Sequence, residues 1–382
     1  MRITFVAGDM DAARDGVAHY VSKLVPRLRG RGIGVDVLSR PPGGWNARAV
    51  AGLARALRRR SPDVVHLQYS PTAYDYARWL GALPLALGAR APLVLTVHEF
   101  GWWPWHAPLP EPLRSWIPRA GEPLRAWDRE SLFLVPRASA VMTSSDTLGG
   151  LLEERFGERP RAVPVGANIE RVAADRAGVR ERLGIPEDAP VVAFFGFVRP
   201  DKGVRTLLDA MARIREARPD ARLLVIGGFE NIVSSAEETA AFERELRSAA
   251  DGLGLDGHVT FTGHVGDREV SEMLAAADAG ALPFDGGVTA KSGSLLAQLA
   301  HELPTVVTRP DGPDWLVEDG ATVMTVEPRD SEALASAIGS LLEQPDEAAR
   351  LAREGRTRAE RAGWDAVVDA HLAVYEQVLD GG

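Results

Sequence analysis

Arg199 and Lys202 stand three residues apart in FGFVRPDKG (195–203), just past an apolar run, with Gly196 and Gly203 available for tight turns. Two cations so placed suit a diphosphate leaving group, whose negative charge grows as its bond to a sugar breaks. A solvated basic loop is the competing reading. A second segment, FDGGVTAKSG (284–293), leaves an apolar run, passes through glycines and opens a helix at Ser292 to Ser294. Helix starts leave backbone N–H groups without intrahelical acceptors, so the amides of Gly293, Ser294 and Leu295, with Lys291 beside them, are expected to form an anion site. The plainer alternative is a capped helix start, since Ser and Gly are common there. A third segment, GDMDAARDGVAHYV (8–21), sets Gly8, Asp15 and Gly16 before another helix. It is not the GxGxxG dinucleotide fingerprint, and a glycine-rich turn is its alternative. Only Lys23, Lys202 and Lys291 are lysines among 44 basic residues, as in a GC-rich genome. Two of them fall in these loops, where a compact ammonium serves phosphate as a point charge.

Such loops need elements to hold them. Short, β-branched apolar runs alternate with amphipathic segments along the chain. ITFVA, GVDVLS, DVVHLQ, LVLTVHEF and SAVMTSS read as strands, and their continuity suits parallel strands buried on both faces. Helical periodicity covers 16–28 and 47–59. A second series starts near Pro190. VVAFFGF, ARLLVIGG, HVTFTGHV, AGALPF and TVVTR read as strands, with helices over 204–218, 242–253, 269–276 and 293–301. Alternation of this kind implies two parallel sheets with right-handed crossovers. The joint lies in the polar, turn-rich stretch 167–188. A closing helix, 364–379, sets Val367, Val368, His371, Leu372, Tyr375 and Val378 on one side.

Composition narrows the class. With 45% hydrophobic and 25% charged residues, the 382-residue chain reads as a globular protein of two or three domains at roughly 150 residues each. It has no cysteine, which excludes disulfides, thiolate metal sites and cysteine nucleophiles. No apolar run reaches the ~18 residues of a membrane span, and the start reads as a buried strand and not as a signal peptide. The expected location is cytoplasmic, free or peripheral at a membrane. Charge is uneven. Up to Glu170 there are 22 basic and 16 acidic residues, and after it 22 and 37. A basic first half is open to an anionic acceptor, to a membrane surface, or to neither. Nucleic acid is not expected.

In their order, RDGVAHYVSKLVPRLRGRGIGVDVLS, PDVVHLQ, LVLTVHEF, SAVMTSSDTL, VPVGANIE, FFGFVRPDKGVRTLLDAM, ARLLVIGG, HVTFTGHV, AADAGALPF and SLLAQLAHELPTVV resemble glycosyltransferase family 4 over nearly the whole chain. The resemblance implies an α/β protein of the GT-B fold. It would have two Rossmann-like parallel-sheet domains facing a cleft, with the C-terminal helix crossing back to the first domain. The domains would be 1–170, acceptor-binding and completed by 364–382, and 171–363, binding the nucleotide sugar. It implies a bacterial, retaining enzyme that needs no cofactor and no metal. A sugar would move from a UDP- or GDP-linked donor to a small molecule or saccharide, in specialised-metabolite or glycan biosynthesis. Two other readings stay open: a degenerate relative that binds sugar nucleotides or a partner without turnover, and a sugar-nucleotide epimerase.

Carried over by position, Gly16 matches the glycine whose backbone approaches the donor. Arg199 and Lys202 match the pair that grips the diphosphate, although Phe197 occupies the commoner place of the arginine. His264 and Val265 match the turn that meets the nucleobase. His98 and Glu99 match the first-domain position near the transferred sugar and the acceptor. The family's paired glutamates, eight residues apart, fall on Thr289 and Ala297, so both carboxylates are missing. Loss of one charge-assisted bond is expected to forfeit about 1.5–3 kcal/mol of donor binding unless replaced. Lys291, Ser292 and Ser294 are the candidates to replace it. Six of nine tryptophans lie between Trp79 and Trp127, with GWWPWH at 101–106 directly after His98 and Glu99. Trp102, Trp103 and Trp105 are therefore acceptor candidates. They could stack on a sugar, cage a cationic acceptor, dip into a lipid surface alongside a lipid-linked acceptor, or simply pack.

Overall fold

The computed structural model describes residues 1–41, 44–101, 121, 124, 126–230 and 234–381. The chain divides into two units, Met1–Pro164 with Trp364–Gly382, and Val165–Gly363.

In the first unit six strands form one sheet: β1 (Arg2–Val6), β2 (Gly34–Leu38), β3 (Val64–Tyr69), β4 (Leu93–Val97), β5 (Ala140–Thr143) and β6 (Arg161–Ala162). All pairs are parallel, in the order β2-β1-β3-β4-β5-β6. Every residue of β3 and β4 is buried, which is why these strands read as unbroken apolar runs instead of an alternation. The helix Gly16–Gly30 buries Ala18, Tyr20, Val21, Leu24, Val25 and Leu28 on one stripe. The helix Trp364–Asp380 belongs to this unit. It buries Val367, Val368, His371, Val374 and Tyr375. Arg27 lies 4.7 Å over the Trp364 ring, and Arg31 pairs with Asp369 at 3.0 Å.

The second unit repeats the plan with β7 (Val191–Phe195), β8 (Arg222–Ile226), β9 (Val259–Phe261), β10 (Ala279–Leu282), β11 (Thr305–Thr308) and β12 (Met324–Val326). The order is β12-β11-β10-β7-β8-β9, again all parallel. β12 and the helices Arg176–Arg182, Ser331–Glu343 and Pro345–Ala359 lie beyond the elements read from the sequence, and two further elements differ in extent. The strand expected over HVTFTGHV narrows to β9, because Gly263 turns the chain at φ +68°. The helix expected from 242 begins at Ala236, where Ser235 and Glu238 form a reciprocal capping box that satisfies two amides at the helix start.

Each order contains one point where neighbouring strands run off in opposite directions along the sheet: β1 against β3, and β7 against β10. Ligands of open α/β sheets bind beyond the carboxyl ends of the strands at such points. The loops that follow these strands are therefore where a ligand is expected.

Candidate functional site

In the second unit the loops after β7 and β10 lock together. The Asp285 amide donates to the Asp201 carbonyl at 3.0 Å. Gly203 opens the helix Val204–Ala217 at φ +65°, and a Cβ there would lie 1.8 Å from the Pro283 carbonyl oxygen. Only glycine fits. Gly196, at φ +140°, brings its backbone against Ser294, whose Oγ would lie 2.6 Å from a Cβ. The turn after β7 is thereby pressed onto the start of the helix Gly293–Ala300.

This arrangement brings Arg199, Lys202 and Lys291 to one end of the sheet. Arg199 makes a two-pronged pair with Asp201, at 2.9 and 2.7 Å. Lys202 Nζ sits 3.9 Å from the centre of the Phe284 ring and 3.8 Å from Asp201. Burial pushes the Lys202 pKa down to about 8; Asp201 opposes this, and Arg199 and Lys291 add to it. A cation held partly desolvated beside two others is short of negative charge.

At the helix start, Ser292 accepts the Leu295 amide on its side chain at 3.3 Å. Leu295 is therefore not a free donor, and its side chain is buried. The amides left at the first turn are those of Gly293 and Ser294. Thr289 is half-buried and its carbonyl accepts from Ser292 N at 2.9 Å. Ala297 is fully buried in an apolar cluster with Ile169, Val270 and Leu303, against which Val265 packs. Its neighbours in sequence do not supply a carboxylate. Gln298 is bonded to Ala193 and Thr305, and Glu302 to Arg171 and Arg356. His264 stands beside Gly228 in the turn after β9. One residue escaped the sequence reading. Asn168 places Nδ2 against Gly293, and its Oδ1 is buried without a hydrogen-bond partner.

In the first unit the loops after β1 and β3 are equally close. A Cβ on Gly8 would lie 2.2 Å from the Ala73 carbonyl oxygen. Gly16 starts its helix with nothing within 4 Å of a Cβ position, so no contact within the chain requires glycine there. Asp15 caps that helix, accepting the Val17 amide at 2.9 Å, while its Oδ2 is buried and unpartnered. Burial pushes the Asp15 pKa up to about 6; the Val17 N–H holds it back, and Asp9 and Glu99 raise it further. Glu99 Oε2 accepts from Ser70 at 2.6 Å and from Thr72 at 2.7 Å.

His98 ends a buried polar chain. Its Nε2 lies 2.9 Å from Gln68 Oε1, and Gln68 Nε2 lies 3.1 Å from His66 Nε2. His66 also meets Thr96 at 2.8 Å and Tyr375 at 2.6 Å. Burial, with His371 and His98 nearby, pushes the His66 pKa well down, so it is neutral. A neutral imidazole offers one donor and one acceptor, so Gln68 couples the tautomers of the two histidines. The placement of the amide makes His98 the Nε2 donor. Nothing in the spacing HLQ marked this network; only the pairing of β3 with β4 shows it. Trp102, Trp103 and Trp105 lie outside the described residues.

A family model described as "Glycosyl transferase 4-like domain" matches residues 25–168, and one described as "Glycosyl transferases group 1" matches 189–344. The chain is 30% identical to a D-inositol 3-phosphate glycosyltransferase of Xylanimonas cellulosilytica, covering 86% of this chain and 75% of that protein. The chain belongs to glycosyltransferase family 4. A family relative from Mycolicibacterium smegmatis is 30% identical over 73% of this chain and 70% of its own length. It is a GDP-mannose-dependent alpha-(1-6)-phosphatidylinositol monomannoside mannosyltransferase. Against others the overlap is shorter, and the chain spans about half (54%) of the D-inositol 3-phosphate glycosyltransferase of Segniliparus rotundus. Among solved structures, Anabaena HepE in complex with UDP-glucose superposes with a TM-score of 0.71 at 20% identity, over 99% of this chain and 100% of that one. This is the GT-B architecture. Among the described residues no helix is long and apolar enough to cross a membrane.

Proposed function

We propose that this glycosyltransferase takes its sugar from a nucleoside-diphosphate donor held by the second unit and passes it, with retention, to an acceptor held by the first. The observation that carries the reading is the cluster of Arg199, Lys202 and Lys291 beside the free amides of Gly293 and Ser294, at the switch point of a six-stranded parallel sheet. Relatives named for GDP-mannose and solved with UDP-glucose share a nucleoside diphosphate and differ in base and sugar. The shared part is what this cluster suits.

In the reaction, the bond from the sugar anomeric carbon to the diphosphate oxygen breaks, and the electron pair leaves with the diphosphate. Arg199, Lys202, Lys291 and the two amides take up that charge without a metal or cofactor. The acceptor nucleophile attacks the anomeric carbon from the same face, and its proton passes to the departing phosphate oxygen. Gly16 is assigned to the donor by its match to the family, and His264 and Val265 to the base. Thr289, Ser292 and Asn168 are the groups we assign to the sugar in place of the family's missing carboxylates. We assign His98 to the transferred sugar and Glu99 to the acceptor, and Trp102, Trp103 and Trp105 are acceptor candidates on the sequence alone. The acceptor is a small molecule or saccharide, free or lipid-linked, and no nucleic acid takes part.

The test is nucleoside-diphosphate release from UDP-glucose and GDP-mannose, with and without candidate acceptors. Acceptor-dependent release that disappears in Lys202→Ala supports the reading. Binding of a nucleotide sugar with no transfer to any acceptor would leave a donor-binding protein, and interconversion of the sugar an epimerase.

A further inference from the structure

The loops after β1 to β4 of the first unit carry net negative charge, whereas those after β7 and β10 of the second carry Arg199, Lys202 and Lys291 against Asp201 and Asp285. Segments 7–15, 39–46, 70–77 and 98–101 follow β1, β2, β3 and β4. Their acids are Asp9, Asp11, Asp15, Asp75 and Glu99, and the cations in their described residues are Arg14 and Arg40. Arg40 is committed to the acids around it, at 2.8 Å from Asp75 and 4.0 Å from Asp9. Ser70 and Thr72 hold the Glu99 carboxylate through Oε2. Asp15, only 5% exposed, turns Oδ1 to its own helix start and keeps Oδ2 without a partner.

A buried carboxylate oxygen with no donor is costly, and a like-charged neighbour makes it costlier. What is missing beside Asp15 is a group that brings N–H or O–H donors and positive charge together. An ammonium has three donors and no acceptor. A hydroxyl supplies one donor and no charge. A phosphate supplies acceptors and two further negative charges, and is repelled.

We propose that Asp15 and Glu99 form a subsite for a protonated amine, so that the acceptor is an amine-bearing sugar or polyol and not a phosphorylated one. This deepens the glycosyltransferase reading and rests on it. It also separates this chain from relatives named for inositol phosphate and phosphatidylinositol mannoside acceptors.

The test uses three probes on one scaffold: scyllo-inositol, its monoamine and its monophosphate. All carbons of the parent are equivalent, so the charge alone changes. Each is titrated into the full chain at pH 7.5 with a saturating nucleoside diphosphate present. The amine is expected to bind about tenfold more tightly than the neutral cyclitol, the margin between a charge-assisted and a neutral hydrogen bond, and the phosphate more weakly than both. Asp15→Asn and Glu99→Gln should each erase the amine's advantage and leave nucleotide affinity unchanged. Asparagine is itself a good helix cap, so the first variant keeps its helix start. Tighter binding of the phosphate, no binding of the amine, or an amine preference surviving in both variants overturns the proposal. If no nucleoside diphosphate binds, the parent reading fails first and takes this one with it.

Discussion

After β7 and β10 the chain offers Arg199, Lys202, Lys291 and two helix-start amides against Asp201 and Asp285; after β1, β3 and β4 it offers Asp9, Asp11, Asp15, Asp75 and Glu99 against Arg14. The two sheets have the same strand count, the same parallel pairing and the same kind of switch point. Fold alone therefore does not set what binds. The difference lies in which side chains each loop presents and how far each is desolvated. Lys202 is driven toward neutrality and Asp15 toward protonation, each by burial first and by like charges second. On the two proposals above, each loop set takes a ligand of the charge it lacks.

The largest effect expected is on turnover. Lys202→Ala should lower kcat by about 10²–10³ with an unchanged melting profile, as loss of one preorganised electrostatic contact does. Undiminished kcat would remove the cationic half of the comparison.

The polar chain behind His98 comes next. Gln68→Leu strands buried partners on His66 and His98. It should cost about 1–3 kcal/mol of stability in denaturant titration and lower kcat, while nucleotide affinity stays put. A variant as active as the parent would make the chain purely structural.

A pH effect sharpens the same comparison. Bound diphosphate favours charged Lys202, whose pKa lies near 8 in the empty site. Binding at pH 8 should take up a proton, and affinity should fall as pH rises through and above that value. Calorimetry in buffers of different ionisation enthalpy reads the uptake directly, and Lys202→Ala should abolish it.

The smallest effect concerns Asp15. Its folded pKa of about 6 lies above the ordinary carboxylate value. The folded state therefore prefers the proton, and the penalty for ionisation is absent below about pH 4 and complete above pH 6. Asp15→Asn should gain about 1–2 kcal/mol at pH 7.5 and nothing at pH 4. An equal gain at both values would show that the carboxylate is not strained.

Much of this was legible in the sequence because the physics is local. Buried parallel strands announce themselves as β-branched runs, as β1 and β3 do. Ser292 before Gly293 is a local signal too, but its hydroxyl occupies the Leu295 amide, which narrowed the expected trio of donors to a pair. Summed charge misled where location mattered. The first half of the chain is basic, yet Arg55, Arg58, Arg59 and Arg60 lie exposed on the helix Ala47–Arg60, and the strand-end loops are acidic. Non-local contacts were illegible. Asn168 against Gly293, Ser70 and Thr72 on Glu99, and Gln68 between two histidines exist only once strands far apart in sequence are paired. Ala297 is fully buried in an apolar cluster, so a carboxylate at that position would be desolvated.

The most direct measurement is thermal stabilisation of the purified protein by UDP, GDP, ADP and dTDP. A ligand at 100 times its Kd stabilises the fold by about 2.7 kcal/mol. The account predicts one clear responder whose effect vanishes in Lys202→Ala. Four silent nucleotides, or a response that survives that substitution unchanged, would contradict it.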